Sequence, residues 1–278
     1  MRRLLKTYNF KSFAKLNLSL YVGPPNNEGL HPLSSIFQQV SLYDEIIIRL
    51  ARNSHKVSFI GEDVPNENTC TKVIELMGNR LNNYWDIQIN KQIPSGAGLG
   101  GGSSNAAALI MALNQLERLD LSIFEMEFIA KQVGSDVPFF LYGGQRKVFG
   151  VGDCIEPVKQ MIDCLYYVLI LSGIHCSTKA VYSKLDKMGE FDDLSIASDV
   201  DLNLIGYNRL LKPALALSLD LTVLYNQILQ HISGDVFMSG SGSTLVVPCG
   251  SLEDQSQMVT LLSSKLDPNY KCLCVNAI

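Results

Sequence analysis

Residues Pro94 to Ser104 read Pro-Ser-Gly-Ala-Gly-Leu-Gly-Gly-Gly-Ser-Ser, with five glycines in the seven positions from Gly96 to Gly102. Before this segment, Trp85, Ile87, Ile89 and Ile93 alternate with polar residues, which predicts a strand over 85–93. After it, Ala106, Ala107, Leu109, Ile110, Leu113 and Leu116 predict a helix from about Ser104 to Arg118. Glycine lets the backbone turn sharply and approach an anion closely, and the free N–H groups of a helix start point at negative charge. A strand, a glycine-dense turn and a helix in that order therefore favour phosphate binding over a plain flexible turn.

Three kinds of glycine loop compete for the segment. A Walker loop carries Lys followed by Ser or Thr directly after its last glycine, whereas Ser103 and Ser104 follow Gly102 here. The dinucleotide pattern G-x-G-x-x-G is met by Gly96, Gly98 and Gly101, with Glu117 and Asp120 near the spacing of a ribose-binding acid. That acid should end a second strand, but Glu117 closes the predicted helix and Asp120 leads into Ser122-Ile123-Phe124-Glu125, a capping box that opens another. A protein-kinase glycine loop joins two strands, and the His-Arg-Asp and Asp-Phe-Gly sequences that accompany it are missing from this chain.

A chain of 278 residues can bury a sizeable core and divides most simply into two domains, placed at 1–160 and 161–278. Its 47% hydrophobic content includes no run approaching the roughly 18 apolar residues of a membrane span. The basic start, Met1 to Lys6, passes directly into strand-like sequence rather than a signal peptide. Seven cysteines with no Cys-x-x-Cys pair predict free thiols in a reducing cytoplasm and no structural zinc site. A net charge of −4 argues against a nucleic-acid partner.

Long strands are predicted over Tyr8–Val22 and Leu33–Leu50, joined by the breaker-rich connection Gly23 to Pro32. Helices are predicted over 66–80 and 123–133. Near Asp163 the pattern restarts as a strand over 165–171, a helix from Ser177, then helix, strand, strand, helix and strand, which predicts a second α+β layer. Residues 188–201 are polar and acidic and predict a mobile loop.

Two charged residues are candidates for chemistry. Lys15 alternates with Asn17 and Ser19 on one face of the first strand, where a solvated lysine is the simpler expectation from that fact alone. Asp136, two residues before Pro138, is equally good helix-cap chemistry. Together with the glycine loop, however, a lysine, an asparagine and an acid supply what phosphoryl transfer requires. The requirements are an anion cradle, a cation, and a carboxylate to orient or deprotonate a hydroxyl.

The loop Pro94 to Ser104 with Asn105-Ala106-Ala107, the strand segment Ala14 to Leu18, and Ser239-Gly240-Ser241-Gly242-Ser243 resemble the three motifs of the galactokinase, homoserine kinase, mevalonate kinase and phosphomevalonate kinase superfamily. Glu28 to His31, Ile36 to Gln38 and Gly134 to Phe140 are similar to the branch that phosphorylates a cytidine-diphosphate-linked methylerythritol. The resemblance implies an α+β fold in two domains, one like the second domain of ribosomal protein S5 and one ferredoxin-like. It implies ATP and Mg²⁺ as cofactors and a small-molecule alcohol, a cytidine diphosphate conjugate, as substrate.

By the same resemblance, Asp136 is the catalytic base and Lys15 its partner, while Asn17 positions the substrate. Pro94, Ser95, Gly96, Ala97, Gly98, Leu99, Gly100, Gly101, Gly102, Ser103 and Ser104 bind the ATP phosphates, with Asn68 and Lys91 near the adenine. Leu30, His31 and Tyr182 surround the nucleobase, and Gly240, Ser241 and Gly242 close against the substrate. Leu30 stands where Tyr or Phe is usual, and Asn208-Arg209-Leu210-Leu211 stands where Asn-Asp-Leu-Glu is usual. A kinase of the same superfamily acting on a smaller alcohol, such as homoserine or mevalonate, would use the loop and Asp136 without needing His31 and Tyr182.

Overall fold

The computed structural model describes residues 6–159, 161–195 and 205–278. Two compact units interleave along the chain, one formed by Met1–Ala14, Leu42–Pro94 and Gly100–Gly143, the other by Lys15–Ser41, Ser95–Leu99 and Gly144–Ile278. The interleaving arises from two long strands, β1 (Thr7–Val22) and β2 (Leu33–Ala51), of 16 and 19 residues. A typical strand has about 5–6 residues. At this length each strand contributes one end to each unit.

In the first unit β3 (Lys56–Ile60) runs parallel to β4 (Tyr84–Asn90), and β4 pairs antiparallel with β2 from Glu45↔Asn90 to Ala51↔Tyr84. The helices are α1 (Thr69–Met77), α2 (Gly101–Glu117), α3 (Ile123–Val133) and the single turn α4 (Phe139–Tyr142). Helix α2 is buried on nearly every side, through Ala106, Ala107, Ala108, Leu109, Ile110, Ala112 and Leu113. A helix apolar all round belongs in a core, and its alanines let α1, α3 and α4 pack against it.

Helix α2 starts at Gly101, three residues before the expected Ser104. Glycine is a poor helix former. Position 101 nevertheless needs it, because a Cβ there would lie 2.9 Å from Ile93 Cγ2 and 3.2 Å from Lys91 Nζ. Helix α1 is likewise shorter than the expected 66–80, since Asn68 caps it by accepting from the N–H groups of Cys70 and Thr71. The Ser122–Glu125 capping box opens α3 as the sequence predicts.

The other end of α2 disposes of the dinucleotide pattern. Glu117 accepts from Trp85 Nε1 at 2.7 Å and from the backbone amides of Asn82 and Asn83 at 3.0 and 3.1 Å. Burial raises its proton affinity, but these donors outweigh that and hold the carboxyl below its ordinary range. Glu117 is thus a buried fastener between α2 and β4.

In the second unit β5 (Gln145–Gly150) pairs antiparallel with the first half of β2 and with β6 (Cys154–Pro157). The remainder runs β7 (Tyr166–Leu171), α5 (Thr178–Met188), α6 (Leu211–Leu217), α7 (Leu219–His231), β8 (Phe237–Met238), β9 (Leu245–Cys249), α8 (Leu252–Lys265) and β10 (Lys271–Asn276). The strand order β10-β7-β9-β8, antiparallel throughout, is the order of a ferredoxin-like βαββαβ layer. Val168, Ile170, Val181, Leu185, Leu224, Ile228, Leu245 and Leu262 form its core. The sequence leads to one helix between α5 and β8. Two are present because Ser218 ends α6 and caps α7, accepting from Leu221 N–H at 3.2 Å.

The acidic stretch expected to be a mobile loop starts with the last residue of α5, Met188, and its residues 196–201 lie outside the described residues. Its described part is tied down at Asp192. The Asp192 amide donates to Val22 O at 2.8 Å and its carboxylate accepts from Val22 N–H at 2.8 Å, from Tyr207 Oη–H at 2.6 Å and from the Arg209 guanidinium. Arg209 is thereby paired with Asp192.

Candidate active site

The glycine segment alternates handedness along its first five residues from Gly96. Gly96, Gly98 and Gly100 have φ of +67°, +77° and +71°, conformations that side chains rarely adopt. Gly100 is the N-cap of α2 and brings no capping side chain, so the first N–H groups of the helix are left for another acceptor. Ser104 is committed elsewhere, donating to Phe13 O at 2.6 Å. Thr69 donates to Gly102 O at 2.7 Å and pins the first turn to α1, a role no local sequence signal marks.

Lys15 is not the solvated surface lysine that alternation alone suggests. Residues Ala14 to Leu20 of β1 are buried on both faces, and Lys15 is 3% exposed. Its ammonium donates to Asn17 Oδ1 and lies 4.4 Å from the centroid of the Phe37 ring. Asn17 Nδ2 donates to Ser35 Oγ at 2.9 Å, which fixes the orientation of the amide. Burying an ammonium costs several kcal/mol unless it is well partnered.

The same cluster grips the glycine loop from inside the second unit. Lys15 N–H donates to Leu99 O at 3.0 Å, Asn17 N–H to Ser239 Oγ at 3.3 Å, and Ser239 Oγ–H to Gly98 O at 2.8 Å. Gly240 packs on Gly98, where a Cβ at 240 would lie 3.3 Å from the Gly98 Cα. Asn208 Nδ2 bridges the carbonyls of Met238 and Gly240 at 2.6 and 2.8 Å, and Ser241 Oγ is 2.8 Å from Thr178 Oγ1. Gly240 and Gly242 also have positive φ. Two glycine turns far apart in sequence are thereby laced into one backbone surface.

Asp136, in the first unit, is half-buried in the turn formed by Ser135 to Pro138. The N-cap of α4 is Pro138, two residues beyond Asp136. Lys91 and Asn68 are both spoken for. The Lys91 ammonium pairs with Asp44 at 2.5 Å, and Asp44, fully buried, also accepts from Asn105 Nδ2 and from the amides of Gln92 and Ile93. Asn68 spends its amide oxygen on the cap of α1 and its Nδ2 on Pro65 O and Asn66 O. Asp44 gave no signal in the sequence, where an acid beside Glu45 in a strand reads as a solvent-facing residue.

His31 is held on both ring nitrogens, with Nδ1 3.0 Å from Gly23 O and Nε2 3.1 Å from Asp186 Oδ1. Tyr182 lies 5.0 Å from its ring centroid and Phe191 5.8 Å. His31 and Tyr182, 151 positions apart by their numbers, are thus neighbours, and Phe191 joins them although nothing in the sequence marks it. Leu30 is 48% exposed, its backbone amide and carbonyl both bonded to Asn26.

The family model described as the GHMP kinases N terminal domain matches residues 68–144, which hold the glycine loop and Asp136. Curated relatives include the 4-diphosphocytidyl-2-C-methyl-D-erythritol kinase of Alkaliphilus oremlandii, 41% identical over 187 residues, 66% of this chain and 64% of that protein. The chloroplastic enzyme of the same name from Oryza sativa subsp. japonica is 33% identical over 86% of this chain and 63% of its own length. The matches thus span just under two thirds of these relatives. Among solved structures, a 4-(cytidine 5'-diphospho)-2C-methyl-D-erythritol kinase superposes with a TM-score of 0.78 at 26% identity, covering 97% of this chain and 99% of that one. Homoserine kinase from Cytophaga hutchinsonii, at 18% identity and a TM-score of 0.74, shares the fold. With a ferredoxin-like layer, a glycine loop that opens a buried helix and a second glycine turn laced to it, the chain has the GHMP kinase fold.

Proposed function

We propose that the chain transfers the γ-phosphoryl group of ATP to the 2-hydroxyl of 4-diphosphocytidyl-2-C-methyl-D-erythritol, a step of the non-mevalonate route to isoprenoid precursors. The observation that carries the reaction class is the run of positive-φ glycines 96, 98 and 100 entering α2 without a capping side chain. The substrate follows from the relatives, which bear that enzyme's name at 41% and 33% identity.

In this reading the loop N–H groups hold the ATP phosphates in place of water. The accepting hydroxyl is tertiary and crowded, so positioning and a nearby base count for much of the rate. Asp136 takes the hydroxyl proton, and Lys15 offsets charge as the oxygen attacks. Asn17, its amide held between Lys15 and Ser35, orients the alcohol. The cytosine lies by His31 and Tyr182. Mg²⁺ bound by ATP neutralises phosphate charge. Among the described residues no group of three or more His, Cys, Asp or Glu side chains is placed to hold a metal, and Ser103 on the first turn of α2 is the side chain we assign to an ion carried by the nucleotide.

The test is a coupled ADP-release assay on purified protein, offering the cytidyl alcohol, homoserine and mevalonate in parallel. Turnover with the cytidyl alcohol at a kcat/KM at least about 100-fold above the others is the expected result. Turnover on a smaller alcohol alone would overturn the substrate, and ATP binding with no turnover on any would overturn the reaction.

A further inference from the structure

The glycine loop contains no cation of its own, and Lys91, beneath Gly101, is neutralised by Asp44. A phosphate cradle without a Walker lysine has room for a charge-assisted side-chain donor from elsewhere in the fold. One imidazole stands against the loop. At Gly96, whose φ is +67°, an added Cβ would meet His175 Cε1 and Nδ1, each at 3.6 Å. The His175 side chain is otherwise exposed.

Its backbone, in contrast, is fastened on both sides. Before it, Ile174 O accepts from Ser243 Oγ–H at 2.5 Å and Ile174 N–H donates to Ser172 Oγ at 3.2 Å. After it, the Cys176 Sγ lies 3.5 Å from where a Cβ at Gly242 would stand, and Thr178 Oγ1 is 2.8 Å from Ser241 Oγ. The turn receiving these contacts is itself bound to the loop through Thr244 N–H to Ala97 O at 3.3 Å and Ser239 Oγ–H to Gly98 O. The segment 172–178 and the loop 95–99 are thus tied together through that turn, with the His175 ring 3.6 Å from where a Gly96 Cβ would stand. A donor whose main chain is already fixed loses little freedom on engaging a ligand.

We infer that His175 is a phosphate-binding residue of the ATP site, donating a ring N–H to a phosphate oxygen held over Gly96. The inference rests on the reading of residues 94–104 as a phosphate cradle. It adds to that cradle a side chain 71 positions beyond its last residue, Ser104.

The experiment measures ADP and adenosine binding by calorimetry in the full chain, for the wild type, His175→Ala and His175→Gln. His175→Ala should weaken ADP by roughly 10- to 150-fold, the usual worth of a hydrogen bond to a charged group, and leave adenosine unchanged. His175→Gln, which keeps an N–H donor, should recover part of the loss. ADP affinity unchanged in His175→Ala, while the wild type still prefers ADP to adenosine, would remove His175 and leave the cradle standing. A wild type that binds ADP no more tightly than adenosine would overturn both. Equal weakening of ADP and adenosine would also overturn the assignment, because it would mark a structural role.

Discussion

A Cβ placed on Gly98 would lie 2.0 Å from the carbonyl oxygen of Ser239, so the two glycine turns approach as closely as backbones can. Gly98→Ala therefore meets an unyielding backbone atom and a φ of +77° together. The expected result is a loss of about 1–3 kcal/mol in unfolding free energy and a fall of at least roughly tenfold in ATP affinity, an allowance for losing one charge-assisted bond. Gly102→Ala is the control. Its Cβ would sit 3.5 Å from Thr69 Oγ1 within a helix, so denaturant unfolding should show no loss.

For Asp136 the decisive change is to asparagine, which keeps the shape and removes the charge. The cap of α4 lies at Pro138, so the start of that helix should be unaffected. Turnover should fall by roughly 10²-fold or more, the scale of general-base removal. Single-turnover rates near wild type, with saturating ATP and alcohol, would return Asp136 to a structural part.

Tyr182→Ala removes the ring beside His31. The KM for the cytidyl alcohol should rise by about 0.5–1.5 kcal/mol in binding terms, with the KM for ATP unchanged. Leu30→Tyr should act in the opposite direction, since position 30 is half open to solvent and can present a ring. A shift confined to the ATP parameter would show that the nucleobase lies elsewhere.

Glu117 makes stability depend on acid. Burial works against its charge, but donation from Asn82, Trp85 and Asn83 lowers the folded carboxyl below its unfolded value. A depressed acid stabilises fully above the unfolded value and loses that contribution as pH falls through the folded one. Urea unfolding should therefore weaken progressively below about pH 4.5. Glu117→Gln should cost about 1–3 kcal/mol near neutral pH and flatten part of that acid limb. A variant as stable and as acid-sensitive as wild type would contradict the assignment.

Much of the fold could be read along the chain. Trp85, Ile87 and Ile89 mark β4 by period two, and Ser122 with Glu125 marks the start of α3. These are local signals, set by backbone geometry and neighbours within a few residues. The start of α2 was displaced because Gly101 and Gly102 have low helix propensity, and only the nearness of Ile93 and Lys91 explains a glycine there. The mobile loop expected over 188–201 ignored Asp192, whose partners Val22, Tyr207 and Arg209 are distant in sequence.

The sequence alone determined the chemistry on offer: a glycine-dense turn between strand and helix, with a lysine and two acids of undecided use. It could not decide those uses, because burial and pairing are properties of packed neighbours. Lys15 became a buried ammonium only when both faces of β1 were covered, and Glu117 became a fastener only when Trp85 and Asn83 converged on it. Tertiary structure likewise set the start of α4, placing its N-cap at Pro138, two residues beyond Asp136. Placing His175 by Gly96, 79 positions away, took the strands and turns that bring its ring to 3.6 Å from where a Gly96 Cβ would stand, which no local pattern encodes.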